Sequence, residues 1–240
     1  MINKIINGDC LEAMKDIEDC SVDAIITDPP YGTTACKWDS VIPFEPMWLQ
    51  LKRIIKNNGA IVLFGSEPFS SVLRMSNIKN YRYDWIWKKN IATLFQHANK
   101  MPLCNIELIS VFSIKQPTYN PQDLINFGKK NKRGSMGNNI KHGTLNEYIQ
   151  CYTNYPRRIL EFSKDGILHS TQKPVALMEY LIKTYTNEGE IVLDFTCGSG
   201  TTLLACKKLN RKYIGIEKEK KYCDIAEKRL SAVQPFLNFG

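Results

Sequence analysis

Ile191-Val192-Leu193-Asp194-Phe195-Thr196-Cys197-Gly198-Ser199-Gly200-Thr201-Thr202 is the stretch on which the reading of this chain turns. Aliphatic residues run into an acid, and a Gly-x-Gly turn follows. After it, Thr202-Leu203-Leu204-Ala205-Cys206-Lys207-Lys208-Leu209 reads as a helix. A short buried strand passing through glycines into a helix is how doubly wound α/β folds present backbone N–H groups to a ligand. The full dinucleotide fingerprint needs a third glycine, and Leu203 stands there, so pyrophosphate binding is not indicated. Lys212-Tyr213-Ile214-Gly215-Ile216-Glu217 then reads as a second strand ending in an acid. A carboxylate at the tip of that strand can accept from both hydroxyls of a ribose. The ligand expected is a nucleoside without a pyrophosphate. An ordinary strand–helix turn is the plainer alternative.

A second stretch far upstream changes the balance. Val22-Asp23-Ala24-Ile25-Ile26-Thr27 reads as another strand and runs straight into Asp28-Pro29-Pro30-Tyr31-Gly32. Two prolines exclude helix and remove two N–H donors, leaving a stiff exit that presents carbonyls. Alone, this is a rigid strand-to-loop exit with a surface aspartate. Paired with the glycine turn, it is far more specific. S-adenosylmethionine fits the nucleoside description.

With both stretches in view, the chain resembles the amino-directed DNA methyltransferases that use S-adenosylmethionine. Asp28-Pro29-Pro30-Tyr31 matches their catalytic motif, and Asp194 to Gly200 matches their cofactor loop. His169-Ser170-Thr171-Gln172-Lys173-Pro174 is close to the His-Pro-Thr-Gln-Lys-Pro run that precedes that loop, with Ser170 the one departure. The catalytic motif comes first, which is the permuted order of the beta class. The resemblance runs from Asn7 to Glu217 and is weakest in the middle. It implies an α/β fold, a doubly wound and mostly parallel seven-stranded sheet, circularly permuted, as a single catalytic domain over residues 1–240.

Composition agrees. A chain of 240 residues suits one α/β domain with a modest insertion, and 43% hydrophobic content supplies its core. A formal net charge of +8 favours a polyanionic partner. The 8 cysteines include no Cys-x-x-Cys pair, so no metal is expected. Scattered thiols without a signal peptide point to a cytoplasm, and no apolar run approaches the ~20 residues of a membrane span.

In chain order, Lys4 to Asp9 reads as a strand and Cys10 to Ile17 as a helix burying Leu11, Met14 and Ile17. Asp9 either caps that helix or lies near the cofactor adenine, as the resemblance implies. Gly32 to Pro46 reads as a loop carrying Lys37, Trp38 and Asp39, and Trp48 to Lys56 as a helix stopped by Asn57-Asn58-Gly59. Ala60 to Phe64 reads as a strand, Phe69 to Asn77 as a helix, and Tyr83 to Lys88 and Glu107 to Phe112 as two further strands. The polar run between those strands, with Lys89, His97 and Lys100, either touches DNA or is simply mobile. Pro174 to Thr186 is expected as a helix with Leu177, Leu181 and Ile182 inward. The last helix, Glu219 to Gln234, is expected to bury Tyr222, Ile225, Ala226, Leu230 and Val233.

Residues 116–165 differ in kind. Asn126 to Gly143 is rich in Gly, Asn and Lys, cannot bury a core, and reads as a long loop or small subdomain. Lys129, Lys130, Lys132, Arg133, Arg157 and Arg158 are the cations placed to neutralise phosphates. The resemblance gives this position to target recognition; a basic insertion without a partner is the alternative.

The resemblance implies catalysis by Asp28, Pro29, Pro30 and Tyr31. The lone pair of an exocyclic amine is delocalised into its ring. Two acceptors on its hydrogens, the Asp28 carboxylate and the Pro29 carbonyl, would pull the nitrogen toward tetrahedral geometry. Tyr31 would stack on a flipped base. The cofactor set implied is Asp9, Cys10, Asp28, Thr171, Lys173, Asp194, Phe195, Gly198, Gly200, Thr201 and Glu217, with Glu217 on the ribose and Thr171 and Lys173 on the methionine carboxylate. The expected substrate is adenine in double-stranded DNA, since position 28 is Asp rather than Ser. Alternatives are the amino group of cytosine, an RNA or protein-glutamine substrate, and a catalytically silent DNA-binding module. A homodimer and a cognate restriction endonuclease are the other partners implied.

Overall fold

The computed structural model describes residues 1–33, 39–93, 95–131, 148–163 and 172–233, without the side chains of 129–131 and 148–149. The chain divides into two compact units, the larger formed by Met1–Asn120 with Arg158–Gly240 and the smaller by Pro121–Arg157.

In chain order the larger unit begins with β1 (Lys4–Asn7), α1 (Cys10–Ala13), β2 (Val22–Thr27), α2 (Phe44–Ile54), β3 (Ile55–Gly65), α3 (Phe69–Ser76), β4 (Tyr81–Thr93) and β5 (Cys104–Phe112). The smaller unit contributes β6 (Ile125–Asn131) and β7 (Tyr148–Thr153). The larger unit resumes with β8 (Ile159–Glu161), α4 (Val175–Tyr185), β9 (Ile191–Asp194), α5 (Thr201–Lys208), β10 (Lys212–Glu217) and α6 (Lys220–Ser231).

Its sheet runs β1-β10-β9-β2-β3-β5-β4-β8. The pairs from β1 through β3 are parallel, β5 is antiparallel to both β3 and β4, and β8 lies parallel to β4. Seven strands are expected from the sequence; the eighth is the three-residue β8, which pairs Ile159 with Ile86 at the sheet edge. At the centre Ala24 pairs with Val192 and Ile25 with Leu193, which sets β2 beside β9 as the site requires. From β9 the chain winds outward through α5 to β10, and from β2 through α2 to β3. The two windings diverge between β2 and β9, and such a divergence opens a crevice at the strands' carboxyl ends.

Both faces of the sheet are covered, as side-chain alternation along the strands dictates. Ala24, Ile26, Val62 and Phe64 pack with Leu177, Leu181 and Tyr185 of α4 and Leu203 of α5. Ile25, Ile61 and Leu63 face the other way, onto Met14, Met47, Trp48 and Leu51 and onto Phe69 and Leu73 of α3. Each fully buried side chain of this kind contributes on the order of 1.5–3 kcal/mol.

Several boundaries depart from expectation. The helix expected at Trp48 starts at Phe44, because Pro46 falls in its first turn, where a missing N–H costs nothing. Asn57-Asn58-Gly59 lies inside β3 as a bulge: Val22 pairs with Ile55 and Ala24 with Ala60. The carbonyls of Asn57 and Asn58 instead accept from the Lys115 and Thr118 amides. Strand β4 continues to Thr93, which pairs with Cys104, and so takes up the start of the run expected as a loop. In α6, Cys223, Ala226 and Leu230 form the buried stripe, and Ile225, expected inward, is 41% exposed.

The smaller unit is an antiparallel ribbon of β6 and β7, with a register break between Asn126 and Lys129. Of the two readings open for this segment, loop or small subdomain, the described part is paired strand. Asn154 Nδ2 donates to the Asp123 carbonyl at 2.8 Å within it. Lys132 and Arg133, and the side chains of Lys129 and Lys130, lie outside the described residues.

Candidate functional site

A cavity of about 720 Å³ opens at the carboxyl ends of β2, β9 and β10. The turn after β9 builds one wall. Gly198 (φ 50°) and Gly200 (φ 78°) both take the left-handed conformation that glycine adopts without strain. A Cβ on Gly200 would lie 2.7 Å from Ala226 Cβ, so α6 can close on this turn only because no side chain intervenes. At Gly198 nothing stands within 4 Å of such a Cβ. The Glu217 carboxylate, at the end of β10, accepts from the Gly198 amide at 2.9 Å and the Glu219 amide at 2.8 Å. Those two bonds fix it at the cavity rim.

Asp194 is 4% exposed and its carboxylate accepts three hydrogen bonds. Oδ1 accepts from Thr27 Oγ1 at 2.5 Å and the Thr196 amide at 3.2 Å, and Oδ2 accepts from Thr202 Oγ1 at 2.5 Å. Burial pushes its pKa up to about 6, against the opposing hydrogen bonds from Thr202 and Thr27. It therefore ties β2, β9 and α5 together at the cavity floor.

The opposite wall is the exit from β2. Asp39 accepts from three successive amides, Tyr31 at 2.8 Å, Gly32 at 2.9 Å and Thr33 at 2.9 Å, and so holds the chain after the two prolines. The Tyr31 ring stacks on Phe69 with centroids 5.0 Å apart, and its hydroxyl bonds to Asp28 and to Glu107 Oε1 (3.0 Å). Burial and the two carboxylates push the Tyr31 phenol well above its ordinary pKa. Lys173 Nζ lies 2.5 Å from Asp28 Oδ2 and 2.8 Å from Glu107 Oε1. Burial would raise the Glu107 carboxyl, but Lys173 and Lys89 pull it down to about 2. Asp28 goes the other way: burial raises it, Lys173 opposes, and Glu107 adds to the rise. Its side chain keeps 29% of its surface open, enough for a ligand in the cavity to reach it.

A stiff Asp-Pro-Pro exit and a glycine turn with an acid beyond it thus share one cavity. The family model described as DNA methylase (N6_N4_Mtase) matches residues 22–228, which spans both. The chain belongs to this DNA methylase family. It is 32% identical to the type II methyltransferase M.HpaI of Haemophilus parainfluenzae over 97% of this chain and 75% of that one. It is 29% identical to M.HinfI of Haemophilus influenzae over 99% of this chain and 70% of that one. Among solved structures, the M1.HpyAVI–SAM complex is similar with a TM-score of 0.65 at 30% identity, covering 95% of this chain and 99% of that one. The PvuII cytosine-N4-specific methyltransferase shares the fold, with a TM-score of 0.69 at 16% identity over 99% of this chain and 87% of that one.

In the DNA methylase, Asp9, Cys10, Asp28, Pro29, Pro30, Tyr31, Lys173, Asp194, Phe195, Gly198, Thr201 and Glu217 all line this one cavity. Asp9 also caps α1, accepting from the Leu11 amide at 2.9 Å. The Cys10 thiol, raised to about 11 by burial and by Asp9, is neutral at physiological pH. Gly200 acts from behind, through its approach to Ala226. Thr171 lies outside the described residues, as do Lys37 and Trp38. Arg157 and Arg158 are exposed, Arg157 in the smaller unit and Arg158 in the larger.

Lys173, which the resemblance gives to the cofactor carboxylate, bridges Asp28 and Glu107 in the cavity wall. Lys89, considered for the DNA surface, is only 12% exposed and pairs with Glu107 at 2.8 Å. Sequence reasoning missed Glu107, Asp39, Thr27, Thr196 and Thr202. A carboxylate followed by aliphatics in a strand, Glu107-Leu108-Ile109, was the available signal for the first. Among the described residues no helix is long and apolar enough to cross a membrane, and no cluster of His, Cys, Asp and Glu is placed to hold a metal.

Proposed function

We propose that this DNA methylase transfers a methyl group from S-adenosylmethionine to the N6 amino group of adenine within a specific sequence of double-stranded DNA, as part of a restriction–modification system. The observation that carries the reading is the shared cavity: Asp28 and Pro29 at the end of β2 face the same space as Glu217 and the Gly198 turn. The residues present suit the donor. Glu217 offers a fixed carboxylate to a ribose diol, the open space at Gly198 admits a ligand against backbone, and no pyrophosphate cradle competes.

S-adenosylmethionine supplies an electrophilic methyl group on a sulfonium centre. The chain's own residues prepare the nucleophile. The Asp28 carboxylate and the Pro29 carbonyl accept the two amino hydrogens, which localises the nitrogen lone pair. As the nitrogen gains a methyl group it sheds one proton, and Asp28 takes it. The target base leaves the duplex to reach this depth, and Tyr31, backed on one face by Phe69, stacks against it. The cations of the smaller unit, with Arg158, hold phosphates.

The test is nucleoside analysis of unmethylated plasmid DNA after reaction with the enzyme and S-adenosylmethionine. N6-methyladenine is expected. N4-methylcytosine would replace the substrate, and no methylated nucleoside would reduce the chain to a DNA-binding module.

A further inference from the structure

The chemistry assigned to Asp28 requires that its carboxylate be available, yet Lys173 sits on it. Four charges stand in a row: Lys89, Glu107, Lys173 and Asp28, with neighbouring contacts of 2.8, 2.8 and 2.5 Å. The first three side chains are 12%, 7% and 10% exposed, and Asp28, at 29%, is the most open end of the row. Trp87 underlies Lys89, with the ammonium 5.3 Å from the ring centroid, and Phe64 underlies Lys173 at 5.1 Å. These aromatic floors keep both ammonium groups in place. The single phenolic proton of Tyr31 lies between Asp28 and Glu107, so those carboxylates compete for it as they compete for Lys173.

We propose that Glu107, anchored by Lys89, is a positioning residue for methyl transfer: it shares Lys173 and the Tyr31 hydroxyl with Asp28, so that neither is wholly committed to that carboxylate when it engages the target amino group. The inference rests on the reading that Asp28 engages that amine. The pairing is one-sided by construction. Glu107 has two cations and Asp28 has one, so each charge removed from the row changes what reaches Asp28. Loss of the Glu107 charge gives Lys173 wholly to Asp28 and lowers its affinity for a proton. Loss of the Lys89 charge makes Glu107 lean harder on Lys173 and raises it. The other ionisable groups around Asp28 are committed elsewhere: Asp194 to three threonines, and Asp39 to three backbone amides.

The experiment is the single-turnover rate of tritium transfer from labelled S-adenosylmethionine to unmethylated plasmid DNA, measured from pH 5 to 9. The proteins are wild type, Glu107→Gln, Lys89→Met and the double variant; cofactor affinity is measured by calorimetry and folding by thermal denaturation. In Glu107→Gln the acid limb of the rate profile is expected to move down by roughly one pH unit, with the plateau rate falling roughly tenfold. Cofactor Kd should change less than about threefold. In Lys89→Met the acid limb moves up. The double variant restores charge balance in the row and should follow Glu107→Gln, since Lys89 acts only through Glu107. If either single variant fails to fold, the double variant against wild type decides. Limbs that stay in place, or that move in the same direction in both single variants, overturn the inference. Asp28→Asn is the separate control: retained turnover there overturns the role of Asp28 itself.

Discussion

Thr196 Oγ1 donates to the Asp28 carbonyl at 3.1 Å, across 168 residues of sequence. The same hydroxyl lies 2.7 Å from Thr27 Oγ1, which in turn donates to Asp194. Three short polar side chains therefore fasten the exit of β2 to the exit of β9. The wall that would meet the base and the wall that would meet the cofactor are one hydrogen-bonded object.

Asp28→Ala and Glu217→Ala should separate the two walls. Asp28→Ala is expected to abolish turnover while leaving cofactor affinity within about threefold of wild type. Glu217→Ala should weaken cofactor binding by on the order of 1–3 kcal/mol, because a charged acceptor is lost and the Gly198 amide loses its partner. Calorimetric titration with S-adenosylmethionine checks both, and equal loss in the two variants contradicts the assignment.

Gly200→Ala should destabilise the fold by on the order of 1–3 kcal/mol, since a left-handed φ of 78° is combined with a Cβ 2.7 Å from Ala226. Adding Ala226→Gly removes the contact but not the backbone strain. Partial recovery in urea denaturation is the expected outcome.

The two halves of the fold differ in how openly the sequence declares them. Val22–Thr27 and Ile191–Asp194 could be read because buried parallel strands are continuous apolar runs, and the motif residues at their exits line one cavity. Strand β8 could not, since three residues carry no period. Lys89 reads as a surface cation and Glu107 as the polar start of a strand. Their burial follows from the pairing of β4 with β5, which sets Trp87 opposite Glu107 and under the Lys89 ammonium. Thr27, Thr196 and Thr202 look like ordinary strand, turn and helix residues until Asp194 gathers them.

Asp194 gives stability a pH dependence whose sign follows from its raised folded-state pKa. The folded protein holds this proton up to about pH 6 and the unfolded chain releases it near 3.8, so stability from this group is full below that lower value and lost as pH rises through the upper one. The loss is on the order of 3 kcal/mol. Asp194→Asn removes the titration, so the cost of the substitution, measured by urea unfolding, should shrink between pH 4 and pH 6. A constant cost would mean that the carboxylate titrates normally.

Replacing Lys129, Lys130, Lys132 and Arg133 together with alanine should reduce the slope of log DNA affinity against log salt by up to ~4. Turnover at saturating DNA should change far less, because Asp28 and Pro29 are untouched. An unchanged slope would move the search for the phosphate-binding surface to exposed Lys88 and Lys100 of the larger unit.

The pairing of β2 with β9 has a consequence for gene architecture. The strands that meet at the cavity come from distant segments and lie side by side through ladder bonds, while sequence neighbours, β2 with β3 and β9 with β10, are joined by helices that cross outside the crevice. The assembled floor is therefore indifferent to which half is translated first. Fusing the ends of such a coding sequence and reopening it elsewhere alters the itinerary of the chain, not the meeting place of Asp28 and Asp194.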